Sequence, residues 1–225
     1  MSRSIHVFGG GTIQHVRSHF ALCAPAYGSL ARKFTLLARG TLLQRITAWL
    51  SGKPLPKVHL HLTKMADSTS KLETNQDVAD QVQKLLQDPN VGAIIFNVAL
   101  CDYAGQVGSE PSGKYATRLS SRDGDQAVNL TPADKILPAI RAARPDVFIV
   151  GFKTTAGDTH QRQHEKAYRQ MQETGVDIVW VNDVVTRENR IYASNLRIDE
   201  TTLKAGNRQE HLAWLVKTVQ QTVRP

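Results

Sequence analysis

No aspartate or glutamate occurs before Asp67. Nine cations lie over that stretch: Arg3, Arg17, Arg32, Lys33, Arg39, Arg45, Lys53, Lys57 and Lys64. The net charge of +8 therefore resides in the first part of the chain, and the remainder is close to neutral. A field of this sign attracts phosphates. Organelle transit peptides are also acid-poor and rich in arginine, but the β-prone Ile5–Phe8 and the glycines after it read as mature-domain structure. The cations are dispersed. No helix–turn–helix, finger or aromatic stacking pattern accompanies them, so nucleic acid is not an expected partner.

Cysteine is scarce as well. Cys23 and Cys101 are the only two, too few for a disulfide framework and without metal-site spacing. They read as ordinary small core or pocket residues in a reducing compartment, and a cytoplasmic location is expected. No apolar run approaches the roughly 18–20 residues of a membrane span, so no membrane partner is expected. Three familiar nucleotide and hydrolase patterns are missing too. G-x-G-x-x-G with an acid about 20 residues later is absent, no Walker lysine follows the glycines, and no G-x-S-x-G elbow occurs. The hydrophobic content of 41% over 225 residues suits one large domain, residues 1–225.

What is present begins with Ser4-Ile5-His6-Val7-Phe8-Gly9-Gly10-Gly11-Thr12. A strand over Ile5–Phe8 is expected to run into a glycine turn. Glycine admits an anion close to the backbone N–H groups, and a strand, such a turn and a following helix can hold a phosphate. A plain tight turn is the alternative. Beyond it, Ile13–Ala26 reads as irregular and Gly28–Leu43 as a helix, with Ile46–Leu50 extending it or starting another turn. Val58–Leu62 alternates like a strand. Asp77–Leu86 is a helix, and Ala93–Leu100 is a near-continuous apolar strand of the kind buried on both faces. Residues 105–130 form a flap or hairpin. Thr131-Pro132-Ala133-Asp134 reads as a helix start, with Thr131 as N-cap. Asp146–Phe152 is a second buried strand with a loop over Lys153–Gly157. Gln161–Thr174 is a helix closed by Gly175. Asp177–Val181 is a strand ending in Asn182-Asp183. Arg190–Ile198 reads as an edge strand and Glu210–Val223 as an amphipathic helix. This alternation predicts an α/β chain with a mostly parallel sheet and ligands beyond the strand C-termini.

Four strand ends would then converge: Gly9–Thr12, Cys101–Tyr103, Phe152–Thr155 and Asn182–Asp183. Asp102 can position Mg²⁺ or a ribose hydroxyl, or cap a helix. Lys153 is either a site cation or a solvated lysine. Phe152 is either core or a platform for a base. The Asn182 amide can read a base edge or sit in a simple turn. Arg17 and Arg118 are the cations best suited to phosphate. His59 and His61 share one strand face, and His160 and His164 are one helical turn apart. Either pair can bind metal, but a half-exposed strand face explains the first and a solvated helix face the second.

Taken in order, these segments resemble the phosphopantothenoylcysteine synthetase (phosphopantothenate–cysteine ligase) family. They are Gly9-Gly10-Gly11-Thr12, Ala99-Leu100-Cys101-Asp102-Tyr103, Thr131–Leu137, Arg144–Lys153 and Asp177–Val184. The resemblance spans essentially the whole chain. It implies a Rossmann-like three-layer sandwich with a flap near residues 105–130, and a homodimer. It also implies ligation of cysteine to 4′-phosphopantothenate through an acyl-nucleotide made from CTP or ATP with Mg²⁺. The implied nucleotide and phosphate contacts are Gly9, Gly10, Gly11, Thr12, Arg17, Gly28, Ser29, Asp102, Thr131, Pro132, Ala133, Asp134, Phe152 and Asn182. Asp102 would also serve Mg²⁺, and Ala99 and Tyr103 the substrate. Lys114, Arg118 and Lys153 would be the catalytic cations.

The chain departs from the family pattern where the acyl-nucleotide is handled. The family's Asn-x-Ser-Ser-Gly becomes Ala24-Pro25-Ala26-Tyr27-Gly28, and only the glycine survives, with Ser29 after it. The flap lysine is matched by Arg118, with Lys114 four residues upstream. The glutamate after Gly-Phe is replaced in Gly151-Phe152-Lys153-Thr154-Thr155, and a lysine near Thr174-Gly175 is missing. No flavin-binding decarboxylase region is read in the chain. Two other readings follow from these departures: a nucleotide or phosphoester binder without acyl transfer, and an enzyme for another phosphorylated acid.

Overall fold

The computed structural model describes residues 3–193 and 207–224. Six strands form the central sheet: β1 (Ser4–Gly11), β4 (Val58–Leu62), β5 (Val91–Ala99), β8 (Phe148–Thr155), β9 (Ile178–Asp183) and β10 (Asn189–Ala193). Their order is β10-β9-β8-β5-β1-β4, and every pairing is parallel except that of β10 with β9. The Rossmann-like three-layer α/β sandwich with a mostly parallel sheet is confirmed.

Strand alternation builds two cores. Ile5, Val7, Ala93, Ile95, Val150, Ile178 and Trp180 face one side. There they meet α1 (Ser29–Arg39) through Leu30, Ala31 and Phe34, and α6 (Arg208–Thr222) through Leu212, Leu215 and Val219. Phe8, Ile94, Phe96, Ile149, Val179 and Val181 face the other side. They pack on α3 (Asn75–Leu86), α4 (Ile136–Ala143) and α5 (His160–Thr174). Period-2 alternation fills both faces because helices cover both. The chain leaves β1 toward β4 on one side and reaches β5 on the other, so strand order reverses at the β1/β5 boundary. In open α/β sheets a crevice forms outside the strand ends at such a point.

The glycine run is a correction to the expected turn. Gly9, Gly10 and Gly11 stay in β1, fully buried and registered against Asn97, Val98 and Ala99 of β5. A Cβ on Gly9 would lie 2.4 Å from the Ala31 Cβ. On Gly10 (φ +108°) it would lie 2.1 Å from the Thr63 hydroxyl, and on Gly11 2.0 Å from the Ala24 carbonyl. The glycines are required because α1 and two loops press against the end of β1.

Ile13–Ala26 is ordered rather than irregular. β2 (Ile13–Arg17) and β3 (Phe20–Cys23) form an antiparallel hairpin. The flap also contains a hairpin, between β6 (Tyr103–Gln106) and β7 (Asn129–Pro132). The two ribbons meet at Gly105, where a Cβ would sit 3.0 Å from both Val16 and Leu22. Thr131 and Pro132 are therefore strand residues, and α4 starts only after Lys135. Pairing of Tyr103 with Pro132 outweighs the helix-start signature there, and proline is tolerated on such an exposed edge.

The expected Gly28–Leu43 helix is two helices. Gly40 (φ +67°) ends α1, and Thr41 caps α2 (Leu42–Leu50) in a reciprocal capping box with Gln44. β8 runs through Lys153–Thr155, past the expected loop boundary, and β9 includes Asn182 and Asp183. β10 begins one residue earlier than expected, at Asn189, and residues 194–198 of that expectation lie outside the described residues. Among the described residues no helix is long and apolar enough to cross a membrane.

Candidate functional site

The ends of β1 and β5 are tied to α3 by a compact polar knot. The Thr12 hydroxyl donates to Asn75 Oδ1 at 2.6 Å and accepts the Cys101 N–H at 3.0 Å. Asn75 Nδ2 donates to the Cys101 carbonyl at 2.8 Å, and the Thr12 N–H to the Ala99 carbonyl at 2.9 Å. Thr12 is fully buried, with its proton committed to Asn75, so its hydroxyl is closed off from a ligand in this arrangement. It fixes the base of the crevice. Cys101 is buried in the same knot, where desolvation raises its thiol pKa. Cys23 is exposed, and neither cysteine is in a disulfide.

Arg17 takes a similar internal role. It is 2% exposed and donates to the carbonyls of Val16, Val107 and Glu110. Its charge holds the β2–β3 ribbon to the flap instead of projecting over the rim. The sign of that residue was legible in the sequence, but its burial was not.

Alongside the glycine seam lies the start of α1. Gly28 is its N-cap, in the left-handed region at φ +68°, and no side chain caps the helix. A Cβ on Gly28 would stand 3.4 Å from the Gly10 nitrogen and 2.9 Å from Leu62. Ser29 follows, exposed. The first-turn N–H groups of a helix lack intrahelical acceptors and carry the positive end of its dipole. The segment Ala24–Gly28 leads into this turn, packed on Gly11 through Ala24 and Ala26. It adds no side-chain donor beyond the Tyr27 hydroxyl.

The other strand ends complete the rim. Asp102, 73% exposed, pairs with Lys135 at 2.6 Å. Its backbone carbonyl accepts the Ala133 N–H. Tyr103 is half-exposed at the start of β6, Ala99 is partly buried at the end of β5, and Thr131, Pro132 and Asp134 are exposed. Phe152 stacks on Trp180 at 5.8 Å, half in the core. Lys153 is exposed beside Val181, and Asn182 pairs across to Asn189.

Asp183 is buried and gathers the loops after β8 and β9. Its oxygens accept the N–H groups of Thr186, Gly157, Val185 and Asp158 and the Thr155 hydroxyl. These donors, Thr186 and Gly157 foremost, hold its carboxyl well below the usual carboxylate range. It sets the loops and has no open lone pairs for a ligand.

The flap brings a charged cluster that sequence reasoning missed. Glu73 pairs with Lys114 and, at 3.3 Å, with Lys64. The Lys114 hydrogen bond chiefly lowers the Glu73 pKa, and Glu73 raises that of Lys114. Lys114 is thus engaged with Glu73, and Arg118, exposed in the flap, is the freer cation. Asn75 and Glu73 lie in a segment with no motif. The one sequence signal near them is the Thr74–Asp77 capping box that starts α3.

The histidine pairs hold no metal group: among the described residues no three potential ligands are clustered suitably. His59 and His61 stack with His6 at 4.7 and 5.2 Å. His160 contacts Glu188 at 2.9 Å, and His164 stacks against Tyr168 and Tyr192. For Mg²⁺ the strand ends offer the single carboxylate of Asp102, exposed and paired with Lys135, so the ion would be held there mainly by substrate phosphates, and no step below runs through it.

Comparison with curated protein sequences finds no match. Solved structures share the fold. The DNA/pantothenate metabolism flavoprotein from Streptococcus pneumoniae is 19% identical with a TM-score of 0.73, over 98% of this chain and 99% of that one. The C-terminal domain of the coenzyme A biosynthesis bifunctional protein CoaBC is 17% identical with a TM-score of 0.61, over 97% and 94%. A Cab2 variant in complex with phosphopantothenate-cysteine is 13% identical with a TM-score of 0.58, over 97% and 86%. At these identities the likeness is one of fold. The sequence itself matches a family over residues 56–220, the greater part of its length. By that match the chain belongs to the DNA/pantothenate metabolism flavoprotein C-terminal domain family.

Proposed function

We propose that this chain ligates cysteine to 4′-phosphopantothenate in coenzyme A biosynthesis, with a nucleoside triphosphate bound at the start of α1. Family membership supports the substrate class, as do the names of two structural neighbours: one is a coenzyme A biosynthesis protein and the other holds phosphopantothenate-cysteine. The observation that carries the reading is the uncapped N-terminus of α1, set beside the Gly9–Gly11 seam at the reversal of strand order. Free N–H groups and the helix dipole there suit a phosphate without help from a lysine.

In this reading a pantothenate carboxylate oxygen attacks the α-phosphorus, and pyrophosphate leaves. The neutral cysteine amine then attacks the acyl carbon, the nucleoside monophosphate leaves with the bonding electrons, and the proton lost from the nitrogen passes to solvent. Lys153 and Arg118 are exposed cations suited to the charge that develops on phosphate and carbonyl oxygens. Phe152 and Asn182 offer a stacking face and an amide for the base. The nucleotide is CTP or ATP.

One specific observation favours a second reading, a nucleotide binder without acyl transfer. Thr12 and Arg17 are consumed internally, and Ala24–Gly28 supplies backbone where the family pattern supplies an amide and hydroxyls. A single missing oxyanion donor costs on the order of 10²–10³ in rate. A coupled assay of pyrophosphate release with 4′-phosphopantothenate, cysteine and each nucleotide, beside calorimetric nucleotide titration, separates the two. Release that requires both acid and nucleotide supports ligation. Saturable binding without release overturns ligation in favour of the binder.

A further inference from the structure

α2 stands out from the body of the protein. None of its residues is buried. Leu42, Leu43, Trp49 and Leu50 are 70–72% exposed and Ile46 is 46% exposed. These five follow the i, i+1, i+4, i+7, i+8 spacing of a single helix face, an arc of roughly 120°. Leu36 and Leu37 of α1 are exposed as well. Scattered exposed leucines need no explanation, but a continuous apolar helix face on a folded chain marks an interaction surface.

The charge around this face indicates what covers it. Lys33 lies one turn before Leu37, Arg45 borders the α2 face, and Lys53 and Lys57 follow in the segment to β4; all four are exposed. None of the four is in an ion pair among the described residues. The nearest carboxylate in sequence is Asp67. A second copy docked through the same face by a two-fold axis would bring these cations against their own equivalents. An anionic surface would be complementary to both the apolar strip and the cations.

We propose that α2 lies on an anionic lipid surface, with Leu42, Leu43, Ile46, Trp49 and Leu50 in the headgroup–acyl boundary and Arg45, Lys53 and Lys57 on lipid phosphates. This is the arrangement of an interfacial amphipathic helix: an apolar strip carrying tryptophan, flanked by basic residues, too short to span. Its capping box holds the helix formed before docking, which lowers the ordering cost that a disordered segment would meet. The proposal concerns a face remote in sequence from the glycine seam and stands apart from the ligase reading.

Tryptophan emission gives a direct readout. Trp180 is buried and Trp214 is partly buried in the core, whereas Trp49 is exposed. The full chain would be mixed with phosphatidylcholine vesicles, with and without about 30 mol% phosphatidylglycerol. Expected results are a blue shift of emission and co-sedimentation with the anionic vesicles only. Trp49→Ser should abolish the shift, and Arg45→Gln with Lys53→Gln should weaken binding by roughly fivefold per cation. Ile46→Glu should abolish binding while the circular dichroism spectrum stays unchanged. Absence of binding to anionic vesicles overturns the proposal. So does binding that survives Ile46→Glu, which would assign it to dispersed charge. A dimer in solution that Ile46→Glu splits into monomers would give this face to a second copy and equally overturn it.

Discussion

Thr12 and Asn75 share a 2.6 Å hydrogen bond that joins the end of β1 to the first residue of α3. Asn75 also accepts the Cys101 N–H and donates to the Cys101 carbonyl. One amide therefore satisfies groups from two strand ends that would otherwise be buried without partners. Asn75→Ala is expected to lower unfolding stability by about 1–3 kcal/mol, the cost of stranding such groups. Urea denaturation checks this. An unchanged midpoint would show that the knot does not hold the crevice.

A charge placed at Ser29 separates a ligand role for the α1 N-terminus from a structural one. Ser29→Asp puts a carboxylate in the first turn, where the dipole favours it by about 0.3–1 kcal/mol. Thermal stability should hold or rise slightly. The same carboxylate would repel a bound phosphate, so nucleotide affinity should fall, on the order of tenfold for about 1.4 kcal/mol. Calorimetric titration beside a melting curve reads both. Unchanged affinity with raised stability would remove the phosphate from this turn.

The histidine stack on β1 and β4 predicts the pH dependence of stability. Burial, with the neighbouring rings adding to it, lowers His6 and His61 from 6.5 to about 4. Nδ1 of His6 lies 3.0 Å from Nε2 of His61, so one shared proton suits the pair and two ring charges do not. The unfolded chain then binds protons before the folded one does. The contribution is fully present above pH 6.5 and is lost as pH falls toward 4. For His6 the gap corresponds to roughly 3 kcal/mol. Urea midpoints between pH 7.5 and 4.5 should fall, and His6→Phe should flatten that slope. A flat profile in the native chain would contradict the assignment.

Much of the fold was legible because its signals are local. Ile94-Ile95-Phe96 and Val179-Trp180-Val181 are apolar on both faces, and Thr174-Gly175 closes α5 with a left-handed glycine, as expected. The misreadings share one cause: the deciding neighbour is distant in sequence. Three glycines suit a turn or a crowded strand equally well, and Ala24, Ala31 and Thr63 select the strand. The Thr131-Pro132 helix signature yields to pairing with Tyr103. Arg17 displays its charge in the sequence, but the carbonyls that absorb it come from the flap near residue 107. Asn75 had no motif to mark it. The exposure of α2 was hidden because Leu42–Leu50 reads like any helix that packs on a core.

The proposed function rests on the amide bond that is made. Mass spectrometry of the full chain incubated with 4′-phosphopantothenate, cysteine and either CTP or ATP tests it most directly. The amide product, 4′-phosphopantothenoylcysteine, is expected to accumulate with one nucleotide in step with pyrophosphate. No amide with either nucleotide, in a preparation that binds nucleotide by calorimetry, would contradict the account and leave a binding protein on a ligase fold.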